Sequence, residues 1–134
     1  MNRETASIVW LFPLTYAIHL AEEYAVAGGF PLWADRALGI QLTIFEFAAW
    51  NVCGLALMCI GAWLVARDSK FRFIEIALAV AVLSNVAAHV IGSVMTWTYS
   101  PGLITALALW VPLGVFRFRH AYGACGRRAR RAGR

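Results

Sequence analysis

The sequence predicts an all-α protein, a four-helix transmembrane bundle with both termini in the cytoplasm. Three observations predict it. Of the 134 residues, 61% are hydrophobic and only 14% are charged, against roughly 25% charged in an average soluble domain. The apolar residues gather into four successive runs, and a spanning helix needs ~20 such residues. The basic residues fall almost entirely on one side of those runs, the pattern that fixes orientation in a bilayer.

The first run extends from about Ser7 to Ala27, the second from Ile40 to Ala66, the third from Phe73 to Thr98 and the last from Pro101 to Phe116. Three are comfortably long. The fourth, ~24 Å at 1.5 Å per residue, relies on local thinning or on its arginines reaching the interface. Ser100-Pro101 reads as its start, with Ser as N-cap and Pro at the first helical position. Pro13 and Pro112 lie inside helical runs and are expected to distort them. Gly28–Trp33 reads most simply as a loop, with a short amphipathic cover over the outer mouth as the other reading. Residues 1–116 form the membrane domain and 117–134 a basic cytoplasmic tail.

With four spans, Arg3, Arg67, Lys70, Arg72, Arg117, Arg119 and the tail arginines share one side, and of the 12 Lys and Arg only Arg36 lies opposite. This places the chain in the inner (plasma) membrane as a multi-pass protein. The net charge of +5 is concentrated in the tail, which suits an anionic membrane surface and not nucleic acid. Cys53, Cys59 and Cys125 have no metal or disulfide spacing. Ile8–Ile18 followed by Ala25-Val26-Ala27 has the outline of a signal peptide, but Glu22 and Glu23 directly before the cleavage position fit that poorly.

Ionisable groups in hydrocarbon are expensive, at ~2.5–3.5 kcal/mol each on insertion scales. His19-Leu20-Ala21-Glu22-Glu23 places three of them in one turn and a half. At helical spacing His19, Glu22 and Glu23 fall within ~100° of arc. Counting 1.5 Å per residue from the outer ends, His19 and His89 lie roughly 13 Å deep, Glu23 roughly 7 Å and Glu46 roughly 9 Å. Asn85 and Asn51 lie roughly 16–20 Å deep. Residues from three helices thus share the outer half of the bundle. Asn85, one turn from His89, is expected to orient its ring or to bond to another helix; Asn51 is expected to make a packing bond. Glu75 is expected to pair with Arg72 or Lys70 at the cytoplasmic end. Tyr24, Trp33 and Trp97 read as interfacial belt residues, and Trp50, Trp97 and Trp110 as pocket lining.

The five-residue motif resembles the signature of the HXXEE-motif membrane proteins, a family of small bacterial proteins in which a further histidine and glutamate accompany it. His89 and Glu46 look like those two. Tyr99–Leu107 is similar to the start of that family's last helix, and the resemblance covers roughly residues 8–116. It implies an enzymatic role without naming a reaction.

Two imidazoles and three carboxylates in a low-dielectric bundle suit a divalent metal such as Zn, Fe or Mn. The expected ligands are His19, Glu22, Glu46 and His89; Glu22, Glu23 and Glu46 are the expected catalytic carboxylates, and Asn85 the group behind them. The expected function is a metal-dependent enzyme acting on a lipid-soluble molecule. A metal-free acid–base isomerase or cyclase of terpenoid- or sterol-like substrates, with Glu22 and Glu23 as acid and base, is the alternative. A proton- or metal-coupled transporter, which would need a homo-oligomer, and a structural subunit complete the readings.

Overall fold

The computed structural model describes residues 8–26 and 28–120. Arg3, Cys125 and the arginines of the tail from Arg127 onward lie outside the described residues. Among those described the protein is all-helical, without strands. Helix α1 runs Leu11–Ala25, a short α2 Phe30–Leu38, α3 Ile44–Arg67 and α4 Phe73–Thr96. The last helix, α5, opens at Leu103–Thr105, widens into a π-helical turn over Ala106–Trp110, and continues as α-helix over 111–120.

Helix α1 packs on α3, α3 on α4, α4 on α5, and α5 back on α1. The core between them is Val9, Phe12, Val65, Val82, Val86 and Trp110 with smaller neighbours. Helices α3 and α4, the latter with the 3₁₀ turn Ser69–Arg72 before it, are each long and apolar enough to cross a membrane. Only 17% and 33% of their most apolar stretches are buried, so most of those apolar residues lie toward the outside of the bundle. Phe45, Trp50, Val52 and Leu57 on α3 and Ile91, Val94 and Met95 on α4 are all exposed.

Local chemistry explains the boundaries. Pro13 has no N–H to donate to the carbonyl of residue i−4, and its ring clashes with that carbonyl; the helical backbone breaks at Trp10, just ahead of α1. Gly39, at φ 69°, closes α2 in the left-handed conformation. Thr43 and Glu46 make a reciprocal capping box at the start of α3. In α5 the distortion expected of Pro112 takes the form of the π turn directly before it, where the Val111 N–H donates to Ala106 O, five residues back.

Four expectations are corrected. The segment predicted as loop is largely helix α2, and its Trp33 is buried, not interfacial, with Nε1–H donating to Thr98 Oγ1 at 2.9 Å. That ring presses on Gly92, where a Cβ would meet it at 2.8 Å. Ser100 does not cap α5, which begins at Leu103. Glu75 pairs neither with Arg72 nor with Lys70: Lys70 takes Asp68 at 3.3 Å, and Arg117 reaches Glu75 at 2.6 Å. Arg117 is 1% exposed, so the residue assigned to the tail belongs to the bundle.

This buried ion pair gives the first prediction. Arg117→Met strands a buried carboxylate and lowers stability by about 3–5 kcal/mol, while Glu75→Leu/Arg117→Met recovers most of the loss. Denaturant midpoints of the two variants check it, and equal midpoints for wild type and Arg117→Met would refute it.

Candidate metal centre

The site lies where the C-terminal parts of α1 and α4 meet the first turn of α5. His19 and Glu23, four residues apart on α1, point the same way, as i,i+4 spacing requires. His89 comes from α4. Glu23 Oε1 is 3.4 Å from His19 Nε2 and 3.4 Å from His89 Nε2. All three residues are at least 95% buried, and one ligand atom from each lies within 4.8 Å of the other two. The rings meet edge to face at 5.0 Å, and His19 is held against Trp110 at 3.9 Å.

Hydroxyl groups engage the far side of both imidazoles. His19 Nδ1 is 2.8 Å from Thr105 Oγ1, and His89 Nδ1 is 2.9 Å from Ser100 Oγ. With the Thr105 hydroxyl donating to Gly102 O at 3.2 Å, it accepts from Nδ1–H in one of the two neutral His19 tautomers. A neutral His19 then presents its Nε2 lone pair toward a carboxylate oxygen, and that buried nitrogen has no hydrogen-bond partner among the described residues. In that tautomer two acceptors face one another. A cation between them, either a metal ion or a second imidazole proton, resolves the conflict.

The spacing suits the first of these. Two ligands each about 2.05 Å from a tetrahedral ion lie about 3.3 Å apart, close to the two histidine–carboxylate separations. Gly102 makes the assembly possible. It has φ +100°, and a Cβ there would meet His19 Cε1 at 2.7 Å, His89 Cε1 at 2.8 Å and Glu23 Cγ at 3.0 Å. Only glycine fits.

The structure does not bring Glu22 or Glu46 into this cluster. Glu22 Oε1 accepts from the N–H groups of Gly102 and Ile104, each at 3.1 Å, and from the Tyr99 hydroxyl. Its Oε2 accepts from the Thr105 N–H at 2.7 Å. One side chain from α1 thus takes over the capping that Ser100 was expected to supply, because adjacent residues on a helix diverge and only Glu23 follows His19 inward. Burial and the neighbouring Glu22 push the Tyr99 phenol up to about 12, so it remains a donor across the physiological range. Glu46 is exposed, held by Thr43 at 3.0 Å and 2.7 Å in the capping box.

Asn85 does not orient His89, whose two nitrogens face Ser100 and Glu23. Asn51 makes the interhelical bond its position suggests, accepting from the Tyr16 hydroxyl at 2.7 Å.

The chain matches the family described as "Protein of unknown function with HXXEE motif" over residues 10–117. It belongs to the HXXEE family. No curated protein and no solved structure matches it. In this HXXEE protein the motif's histidine and second glutamate enter the buried cluster, whereas its first glutamate fastens two helices together.

A cavity of about 380 Å³ adjoins the cluster. Glu23, His89 and Ser100 form its polar end, with Phe47 and Trp50 of α3 and Phe30 of α2 among its walls. Sequence reasoning missed Ser100, Thr105 and Gly102. All three fall within Tyr99–Leu107, the stretch similar to the start of the family's last helix, but that likeness does not say which side chains face the histidines.

Two variants test this geometry. Gly102→Ala combines overpacking with a left-handed backbone and should destabilise by at least about 2 kcal/mol. Glu22→Ala leaves three amides and a phenol without their acceptor and should cost about 3 kcal/mol. Unfolding midpoints read both, and wild-type values would overturn the assignments.

Proposed function

We propose that this protein is a four-span integral membrane protein with both termini cytoplasmic, which binds one divalent metal ion at His19, Glu23 and His89 and acts as an enzyme on a lipid-soluble molecule. One observation carries the reading. Three buried ligand atoms of the right chemistry converge beside a cavity, and one of them, His19 Nε2, has no hydrogen-bond partner among the described residues. Two histidines and one carboxylate are a ligand set for Zn²⁺ and for Fe²⁺ with open positions, and Mn²⁺ is compatible with it.

The topology is supported by the two ends of the bundle. Arg67, Lys70, Arg72 and Arg117 lie at the end where α3 finishes, α4 begins and α5 runs out. Positive charge belongs on the cytoplasmic side, which puts the site in the outer half of the plasma membrane. The cavity lies between α3 and α4, the two helices apolar enough to span. A molecule dissolved in the bilayer would reach it sideways without crossing water.

The chain's own groups have definable tasks. Thr105 and Ser100 fix the two imidazole rings, and Trp110 covers His19 from behind. Phe30 and Trp33 supply apolar walls beside the site, Phe30 with its ring 5.8 Å from that of His89. An ion bound there supplies Lewis acidity toward a carbonyl, or toward water. Glu23, whose Oε1 lies 3.4 Å from both histidines, is the group nearest the reacting end able to hold a proton. Glu22, engaged by four donors, is not free for that task.

Elemental analysis of the purified protein, after reconstitution with Zn²⁺, Fe²⁺ or Mn²⁺, tests the reading. About one equivalent of one metal is expected in wild type and in Glu46→Gln, and less than about a tenth of that in His19→Ala and His89→Ala. Absence of metal from the reconstituted wild type, or full occupancy in His19→Ala, would sink it. The first result would favour a protonated His19 and metal-free proton transfer within the same cluster.

A further inference from the structure

Ions do not dissolve in hydrocarbon, yet His19, Glu23 and His89 are at least 95% buried. A lipid-soluble molecule can arrive sideways, whereas a hydrated ion needs a polar entry path. The outer end of the bundle supplies the first part of one. A second cavity, of about 650 Å³, lies there, bordered by Tyr24, Asp35, Gln41, Thr43 and Glu46, and none of its lining residues is basic. Helix α2 stands between this cavity and the one beside His89. Pro31, Leu32 and Asp35 border the outer cavity, Phe30, Trp33 and Leu38 the inner one, and Leu42 borders both.

Both ends of α2 are built on glycine. Gly28 and Gly29, at φ 83° and 90°, precede it, and Gly39, at φ 69°, follows it. Glycine alone moves freely through such backbone conformations, so the nine-residue helix has a permissive joint on either side. Asp35 and Arg36 are exposed, and neither forms an ion pair among the described residues. The firmest grip on the bundle is Trp33. Its ring lies on Gly92, and its Nε1–H donates to Thr98 Oγ1 at 2.9 Å. Thr98 is itself exposed, so water can take over that bond at small net cost.

We infer that α2 is a lid. Turning on Gly28, Gly29 and Gly39, it opens the outer cavity onto Glu23 and His89 and admits water and a hydrated divalent cation from the outer face. The hydrogen bond from Trp33 to Thr98 is its latch. Only the identity of the ion depends on the metal centre proposed above; the opening itself does not.

Ser100, fully buried beside His89 and on the wall of the inner cavity, is the reporter position. Ser100→Cys, in protein whose Cys53, Cys59 and Cys125 are replaced by alanine, places one thiol there. A membrane-impermeant trimethylammonium methanethiosulfonate reaches that thiol only when a polar path opens. In nanodiscs, Trp33→Phe and Thr98→Val should each speed the reaction about five-fold, the worth of one neutral hydrogen bond. Together they should do no more than either alone. Arg117→Met, which loosens the opposite end of the bundle, should leave the rate unchanged. Unaltered rates in Trp33→Phe and Thr98→Val would overturn the lid. An equal acceleration by Arg117→Met would overturn it too, because the thiol would then be reached by unfolding. With Ser100 intact, release of Zn²⁺ to a chelator should quicken by the same factor in Trp33→Phe, with one equivalent still bound at the outset. Thiol rates that respond as expected in a protein that binds no metal would uphold the lid and remove the metal centre, so the two fail independently.

Discussion

The carboxylate of Glu22 ties the end of α1 to the beginning of α5, and the position of nearly everything else at the site follows from that tie. Three backbone N–H groups and a phenol converge on its two oxygens. A helix start is a concentration of unsatisfied donors with a partial positive charge. In an apolar setting water is scarce there, and a carboxylate delivered from a neighbouring helix is the strongest available substitute. Once the first turn of α5 is held, Thr105 stands behind His19, Gly102 slides under both imidazoles, and Ser100 faces His89. The adjacent residue, Glu23, is then released to point inward.

Much of this was legible in the sequence. The helical class followed from the apolar runs, and the convergence of His19 and His89 from similar depth on two helices, with Glu23 one turn from His19. What misled was the treatment of Glu22 and Glu46 as equivalent members of the same site. Depth is one coordinate, and a helix position also has an azimuth that a single sequence does not supply across helices. Glu46 sits at a depth compatible with the cluster, yet Thr43 three residues earlier draws it into a cap. That capping-box spacing was present in the sequence and describes Glu46 better than metal ligation. Trp33 and Arg117 misled for a different reason. Each carries a type of side chain common at an interface, and each is buried because one specific partner exists, Gly92 and Glu75 respectively.

The two polar clusters obey different rules. At the basic end Arg117 and Glu75 neutralise one another directly at 2.6 Å. Such a pair contributes specificity of helix register more than net stability. At the other end two imidazoles share one carboxylate, a group of ligand atoms that could hold a metal ion. Such a group suits a centre that takes something up. A matched pair suits a fixed joint.

The π turn at Ala106–Trp110 connects these two regions. A π turn amounts to one residue inserted into an α-helix, and each residue of an α-helix advances the azimuth by about 100°. Upstream of the turn α5 must aim Thr105 at His19; downstream it must aim Arg117 at Glu75. The inserted residue sets the angular offset between these two directions. Helix α5 thus works as a shaft with a built-in phase shift, and a chain one residue shorter in this stretch could keep one cluster in register only by turning the other away.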